Sequence, residues 1–187
     1  FDVIFKFIKS FKIIIFKGEK KMENVIIKWE KLILFSQVET LESELLDGRG
    51  FYAIITGKVI DRYIGEQKLH YIGVAYEQSL RTRIMQEDTH PAYKEIDNFI
   101  AKNPDYKKYV RIGKISSKIQ DRVSELLYRV VESCLIYDNK PLANTQCKDS
   151  YNGRQIKIEN QGVYCSLKKF SDSSKFLKKS AESYFGY

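Results

Sequence analysis

Cysteine is scarce and poorly spaced for bonding. The 187 residues hold three, Cys134, Cys147 and Cys165, with no C-x-x-C pair. That excludes a disulfide framework and offers no zinc-ligand spacing. It fits a reducing compartment, so the expected location is the cytoplasm. No apolar run reaches the roughly 18 residues that a membrane-spanning helix needs. Walker-type glycine-rich loops, the Rossmann fingerprint and H-E-x-x-H are missing too, which removes three common routes to phosphate, dinucleotide and zinc chemistry. Gly48-Arg49-Gly50 is too short to cradle a phosphate and reads as a helix-to-strand turn. A broad excess of one charge is also lacking. The net charge is +8, but residues 1–21 carry +4 and residues 166–187 carry +3, leaving 22–165 at +1. A basic nucleic-acid face is permitted by this balance and not demanded by it.

What is present is the composition of an ordinary globular domain, 43% apolar and 30% charged, long enough to bury a core without staples. Three regions are expected: 1–21 as a translated leader or disordered extension, 22–165 as one domain, and 166–187 as a basic tail. Residues 1–17 are nearly all Phe, Ile and Lys. Lys17-Gly18-Glu19 can be encoded as AAA-GGA-GAA, a ribosome-binding sequence at a suitable distance before Met22. The competing readings of 1–21 are a surface amphipathic helix and a truncated signal segment.

From Met22 the pattern alternates between apolar runs and helical spacings. Val25 to Phe35 fits a strand or a helix. Ser36-Gln37-Val38-Glu39 has the form of a capping box and predicts a helix through Leu46. Phe51–Ile60 and Lys68–Ala75 are rich in Ile, Val and Tyr and predict an antiparallel hairpin with Asp61–Gln67 as its loop. Ser79 to His90 and Ala92 to Lys102 predict helices closed by Pro91 and Pro104. Tyr109–Ile115 is a third strand. Ser117-Lys118-Ile119-Gln120 is a second capping box opening a helix through about Tyr137, with Val123, Leu126, Leu127, Val130, Val131, Cys134 and Leu135 inward. Arg154–Glu159 alternates and is a short strand. From Ser166 the chain reads as a short helix or tail. The expected fold class is α/β, a small central antiparallel sheet of three or more strands with helices on its faces.

A set of polar residues punctuates these elements. Gly50-Phe51-Tyr52 opens one strand and His70-Tyr71-Ile72-Gly73 lies in the next. Leu80-Arg81-Thr82-Arg83-Ile84 follows, then His90, then Glu132 in the apolar helix and Asn144 in Pro141-Leu142-Ala143-Asn144. Tyrosines, a cation, an imidazole, one carboxylate and an amide can together activate water, neutralise a phosphate and hold a hard divalent cation. A carboxylate among Val130, Val131, Cys134 and Leu135 is costly to bury without a partner, which marks Glu132 as the metal-ligand candidate. The bland readings are an amphipathic-helix Glu, strand tyrosines and solvated cations.

Over about Gly50 to Asn144 this arrangement resembles the GIY-YIG nuclease family. The resemblance implies a Mg²⁺- or Mn²⁺-dependent endonuclease acting on DNA, with catalytic residues Tyr52, Tyr71, Arg83, His90, Glu132 and Asn144, and Glu132 as metal ligand. In the family a single Glu on a late helix binds the metal and is followed by a Pro and then an Asn, the order of Glu132, Pro141 and Asn144. Tyr63-Ile64-Gly65 repeats the tripeptide 11 residues after Tyr52, but Glu66–Leu69 after it looks like a hairpin turn. A family spacing of ten residues from Tyr71 selects Arg81. The helix phase set by Leu80 and Ile84 selects Arg83, since Arg81 points about 100° away. His90 lies seven residues beyond Arg83 and is expected on the same helical face. The family often has His or Tyr four residues after the Arg, where this chain has Glu87. His70 is expected to be structural. Lys58, Lys68 and the Tyr151-Asn152-Gly153-Arg154 segment are candidate DNA contacts. The compact form resembles the small restriction enzymes of the family, with restriction or mobile-element roles and a dimer on duplex sites as extensions. Two rivals stand beside this reading: a non-catalytic nucleic-acid-binding module on the same scaffold, and a protein-interaction protein whose tyrosines are core.

Overall fold

A computed structural model describes residues 22–60, 63–86, 90–116, 123–162 and 166–176. The leader expected over 1–21, the capping box at 117–120, Glu87 and Cys165 lie outside them. The chain is α/β, with a mixed sheet in the order β4-β3-β5-β1-β6-β7. The strands are β1 (Glu23–Trp29), β2 (Ile33–Leu34), β3 (Gly50–Ile60), β4 (Tyr63–Ala75), β5 (Tyr106–Ile115), β6 (Ile156–Gln161) and β7 (Phe170–Asp172). The helices are α1 (Glu44–Asp47), α2 (Leu80–Met85), α3 (Pro91–Lys102) and α4 (Glu125–Asn139).

The expected antiparallel trio is present as β4-β3-β5, with β3 paired on both sides. The purely antiparallel sheet needs correcting, because β1 runs parallel to β6 from Glu23↔Ile156 to Lys28↔Gln161. The return that a parallel pair requires is supplied by all the chain between them.

β3 explains why the core has two halves. Its side chains alternate, and both faces are covered. Phe51, Ala53 and Ile55 join Val131, Cys134 and Leu135 of α4. Tyr52 and Ile54 join Leu80, Ile84 and Ile96 of α2 and α3. The sheet is thus sandwiched between α4 on one face and α2 with α3 on the other.

Several local expectations change. The helix predicted from the Ser36 capping box is instead a 3-10 turn, Phe35–Gln37, followed by loop and the four-residue α1. The cause is Arg81. Its guanidinium donates to the backbone carbonyls of Val38 at 2.6 Å, Glu39 at 3.0 Å and Leu41 at 2.8 Å. These bonds satisfy, in a loop, carbonyls that a helix ladder would otherwise have to pair. The residues Tyr63–Gln67, expected as loop, belong to β4, whose ladder with β3 continues to Ile60↔Tyr63. Glu66–Leu69, expected as a hairpin turn after the repeated Tyr63-Ile64-Gly65, is therefore strand, and Tyr63 sits 77% exposed at the hairpin end. α2 is shorter than predicted and stops at Met85. α4 begins after its own cap, Ser124, whose hydroxyl accepts Leu127 N–H. Leu126, expected inward, is exposed. Phe170–Asp172, expected as tail, pairs with β6 as β7.

Candidate active site at the edge of the sheet

β4 is the edge strand, and both helical layers reach round it. A cleft of about 450 Å³ opens there, lined by Tyr71, Arg83, His90, Glu132 and Asn144. Five of the six sequence candidates thus share one wall-to-wall space. Tyr52 does not line it. Its side chain is 2% exposed and lies beneath, its ring 5.9 Å from that of Tyr71. A Cβ on Gly73 would meet the Tyr52 ring at 2.5 Å. Glycine at that position is what lets Tyr52 lie flat under the strand.

Glu132 comes from the α4 side. Burial pushes its carboxyl up from 4.5 to about 7, against the opposing pull of Arg83, then Arg129, then a backbone hydrogen bond at Val74. Desolvation therefore outweighs two guanidinium groups. Such a carboxylate gains from any further cation placed beside it.

Arg83 comes from α2 on the opposite face. Burial of Leu80 and Ile84 sets the phase of this helix, and Ser79 caps it by accepting Thr82 N–H. Arg81, the alternative, is committed elsewhere. Besides the three carbonyls it binds Asp47 at 3.2 Å, and it holds the 38–47 loop. Arg83 faces the cleft and forms no ion pair among the described residues.

His90 reaches the same cleft by a route other than the one expected. It does not ride on Arg83's helix, which has already ended. It is the N-cap of α3, with Nδ1 accepting Ala92 N–H at 3.2 Å. Its ring stands edge-on to Tyr71 at 5.3 Å.

Asn144 is buried, and its amide bonds backbone. Its amide pairs with the backbone of Ile72, accepting the N–H at 2.9 Å and donating to the C=O at 3.0 Å. The neighbouring residues do the same job with backbone groups: Leu142 N–H donates to Leu69 O and Ala143 N–H to His70 O. Lys140, left-handed at φ 52°, ends α4 and turns the chain back onto β4. The open edge of the sheet is thereby closed from Leu69 to Ile72, and Glu132 sits at the next outward position, Val74.

His70 is structural, as expected. It is 2% exposed, and its Nε2 pairs with Thr56 Oγ1 at 2.8 Å. Burial, then Lys68, lowers its pKa to about 4. The suggested DNA contacts fare differently. Lys58 pairs with Asp105 and Lys68 with Glu66. Tyr151 is core, its hydroxyl donating to Arg154 O at 2.6 Å, and Arg154 pairs with Glu23. That segment is a closed turn and not a free arm.

Arg129, Glu77 and Glu125 also line the cleft and were not singled out in the sequence. The available signal was spacing: Arg129 stands three residues before Glu132, hence on the same helical face. Glu125 binds Arg129 at 2.5 Å. A larger open groove of about 1340 Å³ shares Tyr76, Glu77, Gln78 and Tyr128 with the cleft. Its Lys28, Arg49 and Lys114 are offset by Glu30, Glu44, Asp47 and Glu77, so it offers no net attraction for a phosphate chain. No described helix is long and apolar enough to cross a membrane. No family model, curated protein or solved structure matches the chain.

Proposed function

We propose that the chain is a divalent-metal-dependent endonuclease that hydrolyses DNA phosphodiester bonds, a nuclease of the GIY-YIG kind. The observation that carries this reading is the meeting of Tyr71, Arg83, His90, Glu132 and Asn144 in one cleft, from five separate parts of the chain. A protein whose tyrosines were merely core has no reason to bring a half-buried carboxylate, an arginine without an ion pair among the described residues and an imidazole to the same place.

The donor set suits a hard cation of one kind. Among the described residues no three His, Cys, Asp or Glu side chains cluster closely enough to cage a metal. Mg²⁺ or Mn²⁺ bound by one carboxylate, with waters and phosphate oxygens completing the shell, needs no cage. Glu132, raised by burial, supplies that carboxylate. The ion would supply charge neutralisation on the phosphate and a more acidic water.

The remaining work belongs to the side chains. Arg83 presents a planar fork of donors to two phosphate oxygens. Tyr71 places a phenol on the cleft wall, where it orients water against the phosphorus. Tyr52 packs under Tyr71 and sets its height. Asn144 holds the β4 edge so that Tyr71 and Val74 keep their positions relative to α4. Arg129 stands at the rim paired with Glu125, so a bound cation, and not the rim, has to offset the phosphate charge.

The test is plasmid nicking or linearisation with Mg²⁺, Mn²⁺ and chelator, comparing the natural chain with Glu132→Ala. Metal-dependent cleavage that Glu132→Ala abolishes, with duplex binding kept, supports the reading. Binding without cleavage in every metal would favour the non-catalytic module instead.

A further inference from the structure

The ring nitrogens of His90 are not equivalent. A neutral imidazole has one N–H and one lone pair to share between its two nitrogens. At His90 the lone pair is already in use, since Nδ1 accepts the backbone N–H of Ala92 at 3.2 Å. Pro91 follows, and its nitrogen carries no hydrogen, so the amide of Ala92 is the first in α3 that needs an acceptor. In the neutral ring the proton therefore sits on Nε2. Tyr71 and Tyr93 stand edge-on to the imidazole at 5.3 and 6.3 Å and hold its plane. The residue itself is exposed at the cleft.

We propose that His90 acts in the cleft as a hydrogen-bond donor through Nε2–H, to a phosphate oxygen bound beside Arg83, and is not the proton acceptor of the reaction. The proposal rests on the endonuclease reading of the cleft. A base needs a free lone pair facing the water. Moving the proton to Nδ1 would free Nε2, but it would set two N–H groups head-on between the ring and Ala92. The helix cap would be lost each time the residue served as a base. As a donor, His90 caps α3 and binds the anion at once, with no change of tautomer. The base is then left to the water's own environment and to Tyr71.

Two measurements on the full chain test this. The first needs no substrate. Long-range ¹H–¹⁵N correlation at neutral pH reads the tautomer of each imidazole, and the chain has only two histidines, so His90→Gln assigns the signals. A lone-pair-bearing Nδ1 and a protonated Nε2 are expected; the reverse pattern overturns the proposal. The second compares His90→Gln with His90→Glu in metal-dependent plasmid cleavage. Glutamine keeps an N–H near the Nε2 position, whereas glutamate puts a base there. Both lose the ring cap, and melting curves check that both are folded at the assay temperature. Glutamine should stay within about tenfold of the natural rate, and glutamate should fall by ~10²-fold or more, the usual effect of losing one anion-directed donor. A glutamate variant as fast as glutamine, or faster, sinks the donor role. If the natural chain cleaves no DNA in any metal, the endonuclease reading fails and the role falls with it. Cleavage by the natural chain with the wrong ranking defeats the donor role alone.

Discussion

Asn144 binds Ile72 as a neighbouring strand would, accepting its N–H at 2.9 Å and donating to its C=O at 3.0 Å across 72 positions of sequence. One side-chain amide satisfies both backbone groups of a residue on the sheet edge. The next outward position, Val74, contributes its hydrogen bond to Glu132. The cleft therefore begins where the edge stops being covered.

Asn144→Ala should lower stability by about 2–4 kcal/mol, because it leaves a buried N–H and a buried C=O without partners. Asn144→Asp should be at least as damaging, since it sets an acceptor against the Ile72 carbonyl. Urea melts of both variants check this. A change below about 0.5 kcal/mol would mean that water takes over the pairing.

Arg81 and Arg83 should separate stability from activity. Arg81→Ala releases the 38–47 loop and should lower the melting temperature. Arg83→Ala should lower the melting temperature less than Arg81→Ala and lose cleavage by ~10²-fold, on the order of 3 kcal/mol of transition-state stabilisation. Melting and cleavage measured on the same preparations decide it; the opposite pairing of effects would reassign the phosphate contact to Arg81.

Glu132 and His70 should pull the pH dependence of stability in opposite directions. Glu132 rises from 4.5 to about 7 on folding. Between those values the folded chain holds the extra proton, so stability falls as pH rises and the loss is complete above about 7. His70 drops from 6.5 to about 4. In that window the unfolded chain holds the extra proton, so stability is full above 6.5 and is lost as pH falls toward 4. Each effect is on the order of 1–3 kcal/mol. Between about pH 4.5 and 6.5 they offset, and these two groups together should leave the melting temperature nearly flat. Glu132→Gln should expose a stability that climbs with pH over this range, and His70→Gln one that declines. Parallel slopes in the two variants would contradict the assignment.

Mg²⁺ or Mn²⁺ at millimolar concentration should raise the melting temperature at pH 8, where Glu132 is ionised and otherwise penalised. The gain should vanish in Glu132→Gln and shrink below pH 6. Binding to the folded state alone stabilises by mass action, so about 100 times the dissociation constant corresponds to ~2.7 kcal/mol. An equal shift in Glu132→Gln would put the ion elsewhere.

Gly73→Ala should cost about 1–3 kcal/mol by driving a methyl into the Tyr52 ring. Pairing it with Tyr52→Leu should recover most of that loss of stability. A Gly73→Ala change that is silent in melts would show that Tyr52 moves freely.

The antiparallel trio was legible because β3 and β5 carry β-branched and aromatic residues on strands buried by their neighbours, where local preference and tertiary need agree. The Ser36 capping box opens no helix, and the loop found there is held from a distance. Its carbonyls have a competing partner, Arg81, more than 40 positions away, and no local pattern reports that. β7 is three residues with a Ser and an Asp, too short and polar to signal a strand. In the site, Glu132 stood out through its apolar surroundings and Arg83 through helix phase. His90 was legible as a residue but not in its placement, because the end of α2 had no proline or glycine to mark it. Arg129, Glu77 and Glu125 look in sequence like any solvated charges, and only the wrapping of α4 round the β4 edge gives them a common neighbour.

The parallel pairing of β1 with β6 has a consequence for how the chain is made. The indole of Trp29 donates to the side chain of Asn160 at 2.9 Å, 131 positions later. While the ribosome is still adding the intervening residues, β1 has β5 on one side and no described strand on the other. A strand with bare ladder groups and alternating Val25, Ile27 and Trp29 is an invitation to strangers. Closure of such distant contacts is slow by topology. Nascent or prematurely stopped chains ending before Ile156 should therefore be clients of chaperones and prone to clump, even though the cleft residues are all present by Cys147.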